Sequence, residues 1–434
     1  MLGSISTSCL KKHAARRSLS ALGGRSNPRS TQKRTWTTLT RTSDALTIHA
    51  LKDTSFPYVW LRDSCQSTAC VHPTNRQKLH RSSDVPLDIS PIAGAQGVQV
   101  TPGGIDIAWA DGHRSTFARA FLERHADPAE LERWHYDQHL AEEAWTNESV
   151  SKLSDLFLPY AAVRDTDQGL VDAITQLAKY GLVFLTGVPN KETANETCEL
   201  RRVGERFGEI RPTFYGLLWD VVNLSNSKNI AYTNLDLGLH MDLLYFQHPP
   251  RYQILHCLRN QVIGGTSIFV DALHAARVLR EEYPAYFDIL TKTPVSFHYV
   301  NDGHHLHREH FTIELIQKSQ SESEISHINY SPPFQAPLPL NTPKEFYPAL
   351  AKFAELLNDP KNTFEYTLRE GDAVMFDNRR VLHARTAFRD REGAGEVKDG
   401  EPNRWLKGCY LEADALVDRV RVLRKKLQTG SVDL

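Results

Sequence analysis

Short apolar runs broken by glycine, proline and aspartate recur along this chain, and they constrain its fold more than any other feature. Tyr58-Val59-Trp60-Leu61, Gly97 to Val100, Ile105 to Trp109 and Leu182-Val183-Phe184-Leu185 are of this kind. Apolar runs of this length between turn-forming residues read as β-strands. No stretch approaches the roughly 18–20 apolar residues that span a bilayer. Apolar positions at helical spacing are fewer. Residues 168–180 carry them, with Gly181 placed to cap the helix before the strand at 182. Residues 343–358 and 412–427 read as helical too, while from 210 to 300 short strands alternate with turns. The pattern predicts a mainly β chain with flanking helices, built as a double-stranded β-helix, or jelly roll. At 434 residues and 41% hydrophobic content the chain can bury a core in one or two domains.

The first 43 residues stand apart. They hold nine Lys and Arg, many Ser and Thr, and no acidic residue before Asp44. That composition fits an organellar transit peptide, so residues 1–44 are expected to direct the chain to the mitochondrial matrix, with a cytoplasmic location as the alternative. Without this segment 42 basic residues face 52 acidic ones, a net charge near −10. Phosphate binding needs a basic surface, so nucleic acid is excluded as the main partner. Residues 45–125 read as a small β-rich module. Residues 126–154, rich in Glu, Ala, His and Trp, read as a helical linker. Residues 155–434 read as the larger jelly-roll domain. Six cysteines spread through the chain do not make the dense framework of a disulfide-stapled domain.

Leu239-His240-Met241-Asp242 is the segment richest in chemistry. On an extended backbone His240 and Asp242 point to one face, because strand side chains alternate with period two. His383, in an apolar strand-like run 141 residues beyond Asp242, can supply a second imidazole. Two histidines and one carboxylate on one face of iron(II) leave positions for a bidentate keto acid and oxygen. Among 19 histidines such a pair is commonplace by itself, so its context decides.

That context runs through the chain in order. Trp60-Leu61-Arg62-Asp63 comes first, then Trp109-Ala110-Asp111-Gly112-His113, Thr213-Phe214-Tyr215-Gly216 and Ala231-Tyr232-Thr233. His240-Met241-Asp242, Leu255-His256-Cys257, Gly264-Gly265-Thr266-Ser267, Phe376-Asp377-Asn378, Leu382-His383 and Gly408-Cys409-Tyr410 follow. The ordered set resembles the γ-butyrobetaine dioxygenase and trimethyllysine dioxygenase family over residues 55–427. The resemblance implies that His240, Asp242 and His383 bind Fe(2+). It implies that Arg404 pairs with the distal carboxylate of 2-oxoglutarate, with Arg385 in reserve, and that Asn229 and Leu255 flank this co-substrate. An arginine suits the task because its planar fork meets a carboxylate with two charge-assisted bonds. O2 as oxidant and ascorbate as reductant are implied as well.

By the same resemblance Tyr215, Trp219, Tyr232 and Tyr410 form an aromatic cage for a trimethylammonium group, since aromatic faces attract cations. The expected reaction is hydroxylation of a trimethylammonium acid, γ-butyrobetaine to L-carnitine foremost. Trimethyllysine, another betaine or a secondary metabolite are the alternatives. Leu243 stands where the butyrobetaine enzymes have Tyr, and Phe246-Gln247 resembles the trimethyllysine enzymes. Family members also suggest a homodimer, to which the C-terminal helix could contribute. A second class of function, a non-catalytic binding protein on the same fold, is disfavoured by the complete His, Asp, His and Arg set.

Cys65, Cys70, His72 and His113 offer four ligands of the type and number that suit structural Zn(2+). The family carries zinc in this module, and Ser67 stands where its butyrobetaine members have a third cysteine. The tract His304-His305-x-His307-x-x-His310 is read as a loop or lid segment rather than a metal site.

Overall fold

A computed structural model describes residues 36–222, 234–317, 323–390 and 402–430. Most of the expected leader therefore lies outside the described residues, as do Asn229 and Tyr232. The chain divides into two compact units, with the break after Pro128. No helix among the described residues is long and apolar enough to cross a membrane.

The first unit is built from two antiparallel three-stranded sheets. Leu39–Arg41, Ala45–Ile48 and Thr54–Pro57 form one, and Val98–Thr101, Gly104–Ala108 and Arg114–Ala118 the other. Alternation puts Ile105, Ile107 and Phe117 into a core with Leu46, Ile48, Phe56 and Trp109. Gly104 is required where it stands: at φ 157° an added Cβ would lie 1.9 Å from the Phe117 carbonyl oxygen. Tyr58 to Leu61 is not a strand as its apolar run suggested. It forms the helix Tyr58–Asp63 directly after Pro57, with Tyr58 and Leu61, one turn apart, on its buried side. Proline lacks the N–H that a ladder needs, so the strand ends there. The linker read as helical at 126–154 is broken into short pieces, including Pro128–His135 and Asn147–Val150, and Tyr136 between them adopts φ 63°.

In the second unit two sheets face each other. The larger runs in the order Trp219–Val222, Arg404–Leu411, Tyr252–Asn260, Ala373–Asp377, Leu182–Thr186, Phe157–Pro159, with Ile210–Arg211 beside Arg404–Leu411. The smaller runs Leu237–His240, Val381–Arg385, Ser267–Asp271, Thr363–Tyr366. Apart from Phe157–Pro159 on Leu182–Thr186 the pairings are antiparallel. Phe269 of the smaller sheet packs edge-on to Phe184 of the larger at 5.7 Å and meets Phe376 at the same separation. This is the two-sheet architecture the short apolar runs predict.

Period-two alternation divides the core. Leu406 and Tyr410 of Arg404–Leu411 face the space between the sheets, while Cys409 and Leu411 face the helices behind. Asp167–Tyr180 covers that rear face through Leu170, Val171, Ile174 and Leu177, and Ala413–Thr429 adds Leu416 and Val420. Its ends follow from sequence: the Thr166 hydroxyl accepts from Gly169 N–H at 2.9 Å, and Gly181, at φ 69°, donates to Leu177 at 2.7 Å. Helices at 346–357 and 413–429 agree with the expected periodicity. Two others, Ala272–Glu282 and Pro284–Lys292, interrupt the region read as strands and turns. Their starts are marked by Asp271, whose carboxylate accepts from Leu273 N–H at 3.1 Å, and by Pro284 at the first helical position. The His304 tract is a strand, His304–Phe311, paired with Pro294–Asn301, and not a loop. Alternation puts His305 and His307 on one face and His304 and His310 on the other, where His304 packs on Phe214 at 4.4 Å and His310 lies 3.1 Å from the Phe246 carbonyl oxygen.

Candidate active site

Strand pairing brings the two distant histidines together. Leu237–His240 runs antiparallel to Val381–Arg385, with His240 opposite His383, and the two imidazoles stand 4.1 Å apart. Asp242 follows the strand, and the chain turns at once through Leu243, a buried leucine at φ 61°. The turn is held from the crossing between the two sheets. Asn378 lies between Ala373–Asp377 and Val381–Arg385; its amide accepts from Asp242 N–H at 2.8 Å and donates to the Asp242 carbonyl at 2.9 Å. His240 Nε2 lies 3.5 Å from Asp242 Oδ1. One ligand atom from each of His240, Asp242 and His383 falls within 4.8 Å of the others.

The electrostatics suit a cation. Burial alone would raise the Asp242 carboxyl, but His240, His383 and the Tyr410 hydroxyl, which donates to Oδ2 at 2.8 Å, hold it down at about 2. Burial, with His240 beside it, pushes His383 down to about 3, so its ring is a neutral ligand. His240 Nδ1 lies 2.8 Å from the Gly238 carbonyl, which fixes Nδ1 as the donor and frees Nε2 toward Asp242. The Nδ1 of His383 is buried with no hydrogen-bond partner among the described residues. A half-buried carboxylate beside two imidazoles fits a divalent transition metal and leaves coordination positions for other ligands.

A cleft between the sheets opens from this trio. His240, Asp242, Gln253, Leu255, His383, Arg385, Arg404 and Trp219 are among its lining residues. Arg404 is 5% exposed, and burial together with the Arg385 charge pushes its guanidinium down to about 10. Its Nε lacks a hydrogen-bond partner among the described residues, and its planar group lies 5.2 Å over the Phe388 ring. A buried cation in this state calls for an anion. Leu255 lines the cleft as expected.

Three of the four expected cage residues are described: Trp219 lines the cleft with the trio, and Tyr410 touches Asp242. Trp219 packs on Tyr410 with centroids 5.2 Å apart. Gly408, opposite Trp219 in the sheet, makes room for the indole: a Cβ there would lie 2.4 Å from it. Tyr215 joins through its hydroxyl, 3.5 Å from that of Tyr245. Sequence reasoning missed Tyr245, which is buried and packs on Tyr299 at 5.2 Å. The positive φ at Leu243 folds Tyr245 back toward the site, and only a backbone conformation, not a spacing, reveals that. Asn378 was read as part of a motif without a role.

In the first unit Cys65, Cys70 and His113 form a second group whose ligand atoms lie within 4.8 Å of one another. His113 Nε2 is 3.2 Å from Cys65 Sγ and 3.4 Å from Cys70 Sγ. His72 is not in the group. Its Nδ1 accepts from the backbone of Thr74 and Asn75 at 3.3 and 3.4 Å, which turns the ring to a local loop. Ser67 instead places its hydroxyl 3.3 Å from Cys65 Sγ.

Known proteins share this organisation. Residues 149–410 match the taurine catabolism dioxygenase TauD, TfdA family, and residues 37–147 match the gamma-butyrobetaine hydroxylase-like N-terminal family. The chain is 51% identical over 392 residues to dioxygenase str8 of Strobilurus tenacellus, covering 90% of each protein. It is 33% identical to a gamma-butyrobetaine dioxygenase of Pseudomonas sp. (strain AK-1), over 85% of this chain and 91% of that one. A trimethyllysine dioxygenase of Meyerozyma guilliermondii is 28% identical over 85% and 90% respectively. TauD-like enzymes use Fe(II), 2-oxoglutarate and O2. The chain therefore belongs to the TauD, TfdA family and is a 2-oxoglutarate-dependent dioxygenase.

Proposed function

We propose that this dioxygenase hydroxylates a trimethylammonium acid, with γ-butyrobetaine, giving L-carnitine, as its substrate. One observation carries the reading: Tyr410 packs on Trp219 while its hydroxyl holds Asp242, so aromatic surface adjoins the carboxylate of the trio. Aromatic faces bind a quaternary ammonium without a buried counter-charge, each face contributing roughly 0.5–2 kcal/mol when desolvated. Tyr215, Trp219 and Tyr410 would supply such faces, with Tyr232 as a fourth. In this reading His240, Asp242 and His383 hold Fe(II), Arg404 pairs with the distal carboxylate of 2-oxoglutarate, and Leu255 and Asn229 flank it. Bound there, iron with 2-oxoglutarate and O2 supplies an oxidative decarboxylation that yields succinate, carbon dioxide and the hydroxylated product. The chain's part is to orient three ligands, to exclude water with the aromatic wall, and to keep Asp242 ionised through Tyr410.

The test is succinate release with γ-butyrobetaine, trimethyllysine and their unmethylated counterparts. Preferential turnover of γ-butyrobetaine supports the assignment, and equal turnover of methylated and unmethylated acids removes the cage. A second reading, hydroxylation of a different small molecule, draws support from the 51% identity to a dioxygenase that is named for no betaine. Turnover of neither trimethylammonium acid would favour it.

Four further assignments belong to the same proposal. Cys65, Cys70 and His113 hold a structural zinc, with Ser67 or water completing the tetrahedron. Residues 1–44 direct the chain to the mitochondrial matrix, tested by fusing them to a fluorescent protein. Ascorbate keeps the iron reduced, and the enzyme works as a homodimer, tested by light scattering.

A further inference from the structure

Lys407 is buried in the rear face of the larger sheet, beside apolar side chains. It lies on Arg404–Leu411 and is 1% exposed. Alternation turns it away from the cleft, to the side of Cys409 and Leu411. Its ammonium lies 2.7 Å from Asp220 Oδ1 and donates to Asn195 Oδ1 at 2.7 Å. Asp220 Oδ1 also accepts from Trp405 Nε1 at 2.7 Å. A buried ion pair is a weak source of stability, because desolvation offsets the attraction, and its best-attested use is to fix register. The partners of Lys407 do not depend on it: the Asp220 side chain is 39% exposed and Asn195 is exposed, so water can reach both.

Register matters at this edge. Trp219–Val222 ends its sheet and pairs, among the described residues, with Arg404–Leu411 alone. Asp220 stands opposite Lys407, and Trp219 stands opposite Gly408. The two cross-strand pairs are consecutive, so they face opposite sides of the sheet. The ion pair lies behind, and the indole in its glycine notch lies in front. The Trp219 Nε1 is buried with no hydrogen-bond partner among the described residues. No polar contact of its own orients the ring, which is placed by packing on Tyr410 and Gly408 and by the strand that carries it. A slip of one residue would turn the indole to the rear face.

We infer that Lys407 is a positioning residue for substrate selectivity: through Asp220 it pins the edge strand, so that Trp219 presents its face to a cationic substrate. The lysine touches neither substrate nor metal ligand. It acts from the back of the sheet on the residue next to the indole, and Trp405 holds the same carboxylate from the neighbouring strand. Asn195 ties the lysine in turn to the segment between Leu182–Thr186 and Glu199–Phe207.

The inference rests on reading Trp219 as a face of the cation cage, so one arm of the test needs no substrate. The full chain is labelled with fluorinated tryptophan, and the Trp219 fluorine resonance is assigned by its loss in Trp219→Phe. Lys407→Met removes the charge and strands no buried partner, so the thermal midpoint should hold or rise. The Trp219 resonance should nonetheless shift or broaden. In the iron-loaded enzyme KM for the trimethylated acid should rise by roughly three- to tenfold, part of what one cation-binding face contributes, while kcat and KM for 2-oxoglutarate stay within about twofold. Preference over the unmethylated acid should fall with it. Lys407→Gln keeps a donor toward Asp220 and should show the same changes in smaller measure, and it serves if the Met variant does not fold. An unmoved Trp219 resonance in a folded variant overturns the inference. A moved resonance with unchanged preference overturns it too, as does a lowered midpoint with kcat and both KM values altered alike, the mark of a merely structural lysine. An unmodified enzyme that does not distinguish methylated from unmethylated acids would instead sink the cage, and the resonance alone would then decide whether Lys407 orients Trp219.

Discussion

The side-chain amide of Asn378 grips both backbone groups of Asp242, accepting from its N–H at 2.8 Å and donating to its carbonyl at 2.9 Å. A residue at the crossing between the two sheets thereby sets the position of a carboxylate 136 positions earlier in the chain. The same turn is anchored by neighbouring charges: Arg251 lies 2.6 Å from Asp377, and buried Arg380 reaches both oxygens of Asp271 at 3.0 and 2.9 Å. Groups that orient metal ligands affect metal affinity by about 10- to 100-fold. Asn378→Ala should therefore weaken Fe(II) binding on that scale, read by anaerobic iron titration. Asn378→Asp should rescue little, because its carboxylate cannot donate to the Asp242 and Pro250 carbonyls.

Tyr410 and Trp219 should separate two roles. Tyr410→Phe keeps the ring and removes the hydroxyl that holds Asp242, so kcat should fall more than KM rises. Trp219→Leu leaves Asp242 untouched and removes a cation-binding face. It should raise KM for the trimethylated acid by roughly three- to thirtyfold, on the scale of one such face, and reduce discrimination against the unmethylated acid. Steady-state kinetics on both acids distinguish the two outcomes.

His256 gives stability a pH dependence away from the active site. It is fully buried on Tyr252–Asn260, and burial pushes it down to about 4. In the unfolded chain a histidine takes up its proton near 6.5, so the unfolded state binds more protons between these values. Stability contributed by the neutral ring is present above about 6.5 and is lost as pH falls toward 4, by about 1.4 kcal/mol per unit at most. Thermal midpoints measured from pH 7 to 4 should fall, and the fall should be shallower in His256→Asn.

The zinc assignment makes a discriminating pair of variants. Cys65→Ser should lose a bound equivalent of zinc, measured by elemental analysis of the purified protein. His72→Ala should keep it, because the His72 ring is turned to Thr74 and Asn75. Loss of zinc in both variants, or its absence from the unmodified protein, would contradict the assignment.

Much of this was legible in the sequence where a single local rule governs. Thr166 and Gly181 bound a helix because a hydroxyl and a positive φ are local requirements. The His240-x-Asp242 spacing reads as one face because strands alternate. What escaped was set by tertiary context. Tyr58 to Leu61 is apolar enough for a strand, but Pro57 stops the ladder and the run coils into a helix. The helices between 272 and 292 start at Asp271 and Pro284, signals read as turns. Tyr245 reaches the aromatic wall only because Leu243 adopts a conformation that leucine rarely takes. His72 has the right chemistry for a metal, and the backbone around it uses its ring nitrogen instead.

The convergence of His240, Asp242 and His383 on one ferrous ion is tested most directly by measuring Fe(II)- and 2-oxoglutarate-dependent succinate formation in His383→Ala beside the unmodified enzyme. The account predicts loss of at least about a hundredfold in turnover, on the scale of removing a group that acts as part of a catalytic unit, with loss of the anaerobic iron complex. Retention of both by the folded variant would contradict it.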